Sequence, residues 1–178
     1  MIERIKAAWL GFLHPEFLEI QDPLTGALTW KKFLLIANRI VNRFKKDEGD
    51  ISLLFLDADG LKTVNDMQGH LAGDLFIQKF SRAILTNIRP LDLCGRRHGE
   101  NGDEFILLLP GIHPGNAERV AKRIQEVFPN FSWGATSLKN ERDTLKFMVD
   151  RAEGLMYVQK KQKALMYVQR EQKAILNI

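Results

Sequence analysis

Cysteine is all but missing: Cys94 is the only one in 178 residues. An internal disulfide is thereby excluded, and the chain fits a reducing compartment, with Cys94 expected as a small buried apolar residue. No apolar run approaches the ~20 residues that cross a bilayer, so membrane insertion of this chain is not expected. Aromatics make up only 9%, and the candidate strands lack the exposed stacking rings with which a sheet reads RNA, so no nucleic acid polymer is expected as partner. A secretory signal is also lacking. MIERIKAAWLGFLHPEF has a basic flank and a short apolar patch, yet Glu3 intrudes and no small-residue cleavage site follows. That segment reads as a short amphipathic helix ending near Pro15, offering a packing or dimer surface. Charge of one sign is in modest excess, +4 with a pI near 9.2, which mildly favours an anionic partner.

What is present is an ordinary globular composition, 45% hydrophobic and 27% charged, long enough for one core and too short for two comfortable ones. The stretch Leu91 to Pro110, LDLCGRRHGENGDEFILLLP, sets two apolar segments around a polar turn with adjacent carboxylates. EFILLLP reads as a buried strand closed by proline. Asn101-Gly102 just before it is the dipeptide that most favours a tight hairpin, because both central residues need positive φ. Asp103 and Glu104 therefore sit at a hairpin mouth and, since side chains alternate along a strand, point to opposite faces. Composition alone favours a plain solvated turn.

Along the chain, Asp22-Pro23-Leu24-Thr25-Gly26 is a turn signal. Thr29 can cap a helix on which Phe33, Ala37, Ile40, Val41 and Phe44 recur at helical spacing. ISLLFL, Ile51 to Leu56, is a strand that empties into Asp57, Ala58, Asp59 and Gly60. Such an exit often presents ligands, although a plain acidic turn reads the same way. Leu71, Phe76, Phe80, Ala83, Ile84 and Ile88 form a helical stripe stopped by Arg89-Pro90. Ala117, Val120, Ala121, Ile124 and Val127 form another inward stripe, closed by Pro129. FSWGAT, Phe131 to Thr136, is a strand whose glycine marks a close approach. A last helix begins near Glu141 and runs through Leu145, Met148, Val149, Ala152 and Met156. This order predicts an α+β fold with a ferredoxin-like βαββαβ core and extra N- and C-terminal helices. First and third strands are antiparallel neighbours there, which sets Asp57 beside Asp103 and Glu104 in an acidic cluster suited to Mg2+.

The segments DPLTG (Asp22 to Gly26), LDADGLKTVNDMQGHLAGD (Leu56 to Asp74), RPLD (Arg89 to Asp92), NGDEF (Asn101 to Phe105) and WGA (Trp133 to Ala135) resemble, in the right order, the GGDEF family of diguanylate cyclases. The resemblance implies a nucleotide-cyclase-like domain over residues 22–164, between a helical arm at 1–21 and an extension at 165–178. It implies condensation of two GTP into cyclic di-GMP and two pyrophosphates by a cytoplasmic homodimer, with Mg2+ or Mn2+ as cofactor. By position, Asp57, Asp103 and the Ala58 carbonyl resemble metal ligands, and Glu104 the acidic group implicated in catalysis beside Asp103. Lys62 and Lys160 resemble phosphate contacts, and Asn65 and Asp74 the pair that reads guanine. Arg89 and Asp92 resemble an inhibitory site for the product. Singly, Asn65 and Asp74 read as helix or turn caps and Lys62 as a surface lysine. Relatives usually attach a sensor upstream, and the twenty-one residues before Asp22 are too few to form one. The expectation is a fragment of a longer protein or a chain that dimerises through its helical ends, with an upstream sensor domain or protein among the implied partners.

The departures are specific. Between Arg96 and GDEF stand Arg97, His98, Gly99, Glu100 and Asn101, a turn about three residues longer than the family's. Added loop length costs only ~0.6 kcal/mol per doubling, whereas a ~1 Å misplacement costs a hundredfold in rate. The competing reading is therefore a non-catalytic receptor for GTP or cyclic di-GMP. Thr29-Trp30 and Glu153 also depart, Gln125 stands near where an inhibitory-site arginine is found, and Ala164 replaces an arginine expected four residues after Lys160, with Lys163 as a substitute. LMYVQKKQKA (Leu155 to Ala164) recurs as LMYVQREQKA (Leu165 to Ala174). Ten residues at ~100° each fall about 80° short of three turns, so a continuous helix exposes Leu165, Met166 and Val168 on a new side.

Overall fold

The computed structural model describes residues 20–47, 49–97, 102–140 and 142–176. Its elements are β1 (Leu28–Thr29), α1 (Trp30–Lys46), β2 (Ile51–Ala58), α2 (Leu61–Gln68), α3 (His70–Leu85), β3 (Leu93–Arg97), β4 (Glu104–Pro110), α4 (Pro114–Val127), β5 (Phe131–Ser137) and α5 (Leu145–Leu176). The strands form one sheet in the order β1-β3-β4-β2-β5. β2 is antiparallel to both β4 and β5, as the βαββαβ order requires. The predicted N-terminal helical arm lies outside the described residues, apart from Ile20 and Gln21.

β2 is apolar without alternation because helices cover both faces of the sheet. Leu54, Leu56 and Ala58 pack towards α3 and α4, with Phe80, Phe105 and Phe131 in the same core. Ile51, Leu53 and Phe55 pack towards α1 and α5, against Phe33, Val41, Met148 and Met156. Cys94 is buried as expected, and burial pushes its thiol pKa up.

Gly134 is where α5 meets the sheet. A Cβ there would lie 2.0 Å from the Ala152 carbonyl oxygen and 2.5 Å from the Met156 nitrogen. Only glycine lets α5 lie this close to β5, and that approach carries Glu153, Lys160 and Lys163 over the strand ends.

Several expectations are corrected. Residues 61–68 form α2, a helix that the apolar spacing did not announce because its one buried residue is Leu61. Leu71 is 81% exposed and Val127 62% exposed rather than inward; each sits at a helix end, past the edge of the core. Asn101 of the expected tight turn lies outside the described residues. The β3–β4 register pairs Arg97 with Glu104, leaving residues 98–103, six in all, as the connection. Gly102 does take the left-handed φ of +66°. The last helix starts at Leu145 and is continuous through the repeat, with Leu165, Met166 and Val168 exposed.

Candidate active site

The strand registers build the site. Arg97 pairs with Glu104, Glu104 with Asp57, and Asp57 with Ser132, so these four residues form one row across β3, β4, β2 and β5. Directly paired residues share a face, and here it is the face under α5. Among the described residues the helix pairs with two members of the row and with the neighbouring Asp59, and leaves Glu104 without a partner from α5. Glu153 meets Arg97 at 3.1 Å, Lys160 meets Asp57 at 2.5 Å, and Lys163 meets Asp59 at 3.0 Å. Lys163 also donates to the Phe131 carbonyl at 2.5 Å.

The turn after β2 is fixed from its backbone. The Ala58 N–H donates to the Asp103 carbonyl at 3.2 Å and the Asp59 N–H to the Asn130 carbonyl at 2.9 Å. Ser132 Oγ donates to both Asp59 carboxylate oxygens at 2.9 and 3.0 Å. Gly60, at φ +94°, then turns the chain into α2.

Burial leaves the site carboxylates short of donors. Desolvation raises the pKa of Asp57 against the opposing effect of Lys160. It raises Asp103 and Glu104 likewise, with Lys160 and Arg97 respectively pulling the other way. Lys160 is pushed up in turn, because Asp57 outweighs the desolvation of its ammonium. Glu104 Oε2 is buried and accepts no hydrogen bond among the described residues. Its nearest cation is the Arg97 Nε at 3.5 Å, an ion-pair distance without hydrogen-bond geometry.

A second constellation anchors the signature turn. Asp22 Oδ1 accepts from the Thr25 N–H at 2.9 Å and from Thr25 Oγ1 at 2.6 Å. It also accepts from the Arg96 guanidinium at 2.9 Å, while Arg96 Nε donates to the Gly102 carbonyl at 2.9 Å. The DPLTG turn thus holds, through one buried arginine, the residue just before Asp103. Although burial opposes it, these donors hold the Asp22 carboxyl below its ordinary pKa.

The remaining predicted residues fall into two further places. Asn65 on α2 packs against α3 so closely that a Cβ on Gly73 would lie 1.9 Å from its Oδ1; Asp74 follows in sequence, exposed like Lys62. Arg89 lies elsewhere, folded onto Asp92 at 2.7 Å and donating to the Pro110 carbonyl at 2.8 Å. Gln125 turns to the Phe131 carbonyl at 3.4 Å and not to Arg89.

Sequence reasoning gave no role to Arg97 or Ser132 and named Asp59 only as part of the acidic strand exit. Asp59 was visible as a carboxylate two residues beyond Asp57; Arg97 and Ser132 enter only through cross-strand register. Among the described residues no three His, Cys, Asp or Glu side chains converge tightly enough to hold a metal by themselves. The acidic cluster is therefore looser than expected. Its donor set still suits a hard divalent ion that keeps most of its ligands from water and phosphate, and the lysine on Asp57 shows that the site calls for a cation.

Comparison with known proteins fixes the family. Residues 19–165 match the family model described as diguanylate cyclase, GGDEF domain. The chain belongs to the GGDEF family. It is 32% identical over 150 residues to the probable diguanylate cyclase DgcJ of Escherichia coli K12, covering 80% of this chain and 29% of that protein. Across the first curated relatives the chain spans 35% or less of their length. Among solved structures it resembles the diguanylate cyclase SiaD of Pseudomonas aeruginosa, in complex with its activator SiaC. The TM-score there is 0.75 at 27% identity, over 90% of this chain and 67% of that one. The GGDEF domain of DgcB from Caulobacter crescentus, in complex with c-di-GMP, shares the fold with a TM-score of 0.75 at 23% identity, over 81% and 89% of the two chains. No helix among the described residues is long and apolar enough to cross a membrane.

Proposed function

We propose that this domain is a diguanylate cyclase, joining two GTP molecules into cyclic di-GMP with release of two pyrophosphates. The observation that carries this reading is the cross-strand pairing of Asp57 with Glu104, directly after Asp103 and beneath Lys160. Two carboxylates face a cation from α5 at the end of a rigid sheet, which is an arrangement for positioning phosphate rather than for covalent chemistry.

Asp57, Asp103 and the Ala58 carbonyl would hold the divalent ion, Mg2+ or Mn2+, which when bound supplies charge neutralisation to the phosphates. Glu104, with one buried oxygen lacking a hydrogen bond, receives or directs the 3′-hydroxyl proton as the 3′-oxygen bonds to the partner's α-phosphorus and pyrophosphate leaves. Lys160 moves from Asp57 towards the phosphates, and Lys62, exposed on α2, meets them from the other side. Lys163 stands one residue before the arginine position that Ala164 vacates. Asp74 accepts from the guanine N1 and N2 hydrogens, donors that adenine does not offer, and Asn65 steadies the same edge. One domain binds one GTP, so two copies face each other for turnover. We place the reaction in the cytoplasm under an upstream sensor domain or protein, and assign Arg89 and Asp92 to product inhibition. Cyclic di-GMP must then draw the Arg89 guanidinium away from the Pro110 carbonyl.

The six-residue connection between Arg97 and Glu104 favours a second reading, a receptor that binds GTP or cyclic di-GMP without turnover. Incubation with GTP and Mg2+, followed by chromatography of the nucleotides and assay of pyrophosphate, separates the two. Cyclic di-GMP above an enzyme-free control supports the cyclase. None at a protein concentration that permits dimers, together with calorimetric binding of either nucleotide, supports the receptor.

A further inference from the structure

Arg97 belongs to no motif, yet three contacts fix it. Its Nη1 pairs with Glu153 Oε1 at 3.1 Å, its guanidinium carbon lies 5.7 Å from the centre of the Phe55 ring, and its Nε faces Glu104 Oε2 at 3.5 Å. Glu104 lies between unlike neighbours: Asp57, a like charge, on β2 and Arg97 on β3. Repulsion from one and attraction from the other act along the same line and draw the Glu104 carboxylate towards β3. The distance to Arg97 is long enough that Oε2 accepts no hydrogen bond from it, so this buried oxygen keeps its lone pairs unengaged.

We propose that Arg97, held in place by Glu153 on α5 and by the Phe55 ring, is a positioning residue that aims the Glu104 carboxylate for the cyclase reaction. The inference rests on the reading of Glu104 given above. It also accounts for the glutamate at position 153, whose side chain reaches across from α5 to orient Arg97 and so links the helix that carries Lys160 to the strand that carries Glu104.

The test compares Arg97→Met, Arg97→Lys, Glu153→Gln and the double variant with the full wild-type chain, by steady-state pyrophosphate release against GTP concentration. Misaiming a reacting group by ~1 Å costs about a hundredfold. Arg97→Met is therefore expected to lower kcat by about tenfold to a hundredfold with KM changed less than about threefold. Arg97→Lys should restore most of that loss. Glu153→Gln should cost less, and the double variant should be no worse than Arg97→Met, because two residues acting through one contact are not additive. Unchanged kcat in Arg97→Met, a pure rise in KM, or additive losses would overturn the proposal. A second readout needs no turnover: the carbon-13 signal of the Glu104 carboxyl at fixed pH, assigned by its loss in Glu104→Gln. It should shift in Arg97→Met and return in Arg97→Lys; a signal indifferent to Arg97 contradicts the proposal. If the wild-type chain makes no cyclic di-GMP, the cyclase reading falls, and the carbon signal still decides for or against Arg97.

Discussion

Two sets of buried or half-buried carboxylates in this domain meet opposite fates. Asp22 and Asp143 are each wrapped by donors. Asp22 takes Thr25 and Arg96, and Asp143 takes two guanidinium bonds from Arg151 at 2.7 Å and the Lys139 N–H at 3.1 Å. Both are held below the ordinary carboxylate pKa, Asp22 in spite of its burial and Asp143 chiefly through Arg151. Asp57, Asp103 and Glu104 are raised by desolvation, and their cations do not fully offset it. The residue types are the same, and the count of donors per oxygen decides the outcome. The first set holds the chain together, whereas the second stores uncompensated charge that a metal and a nucleotide can complete.

Breaking the first set should cost stability and breaking the second should not. Asp22→Ala leaves Arg96 buried without its carboxylate and is expected to destabilise the fold by about 3–5 kcal/mol in urea unfolding, the usual cost of breaking one side of a buried pair. Glu104→Gln should lower kcat by about 10²–10⁴, while its unfolding midpoint stays level or rises, since it removes a desolvated charge. A midpoint that falls with kcat would erase the distinction between the two sets.

Acid separates them further. Asp22 and Asp143 have depressed values in the folded state, so their contribution is present above the ordinary carboxylate pKa of about 3.9 and is lost as pH falls below it. Asp57, Asp103 and Glu104 have raised values, so their contribution is present below about pH 4 and is lost as pH rises through the raised values. Urea midpoints across that range should therefore show Asp143→Asn flattening the acid limb and Asp57→Asn flattening the opposite one. The smallest expected effect is at Lys163→Met, whose half-exposed pair with Asp59 contributes ~0–1 kcal/mol to stability.

How much of this was legible in the sequence follows from what each feature depends on. The strand from Ile51 and the helices bearing Phe33, Phe80 and Ala121 could be read because burial on a regular element leaves a period in the residues. The pairing of Asp57 with Glu104 followed from the order of elements. Helix α2 was not legible, because a helix with Leu61 as its one buried residue leaves no stripe. The row from Arg97 to Ser132 was hidden for a different reason: it is a property of strand register, and the Asn-Gly dipeptide announced a tighter turn than the one that register leaves. Arg96 was seen as the residue ahead of the lengthened turn, but its role in tying Gly102 to Asp22 needs the fold to bring together residues 74 positions apart.

The most direct measurement is the unfolding free energy of wild type and Asp57→Asn, each with and without a nonhydrolysable GTP analogue and Mg2+. Without ligand, Asp57→Asn should equal or exceed wild type. At a hundredfold excess over its dissociation constant, ligand should add about 2.7 kcal/mol to wild type and far less to the variant. An Asp57→Asn protein that is less stable alone, and that gains as much as wild type from the ligand, would contradict the account.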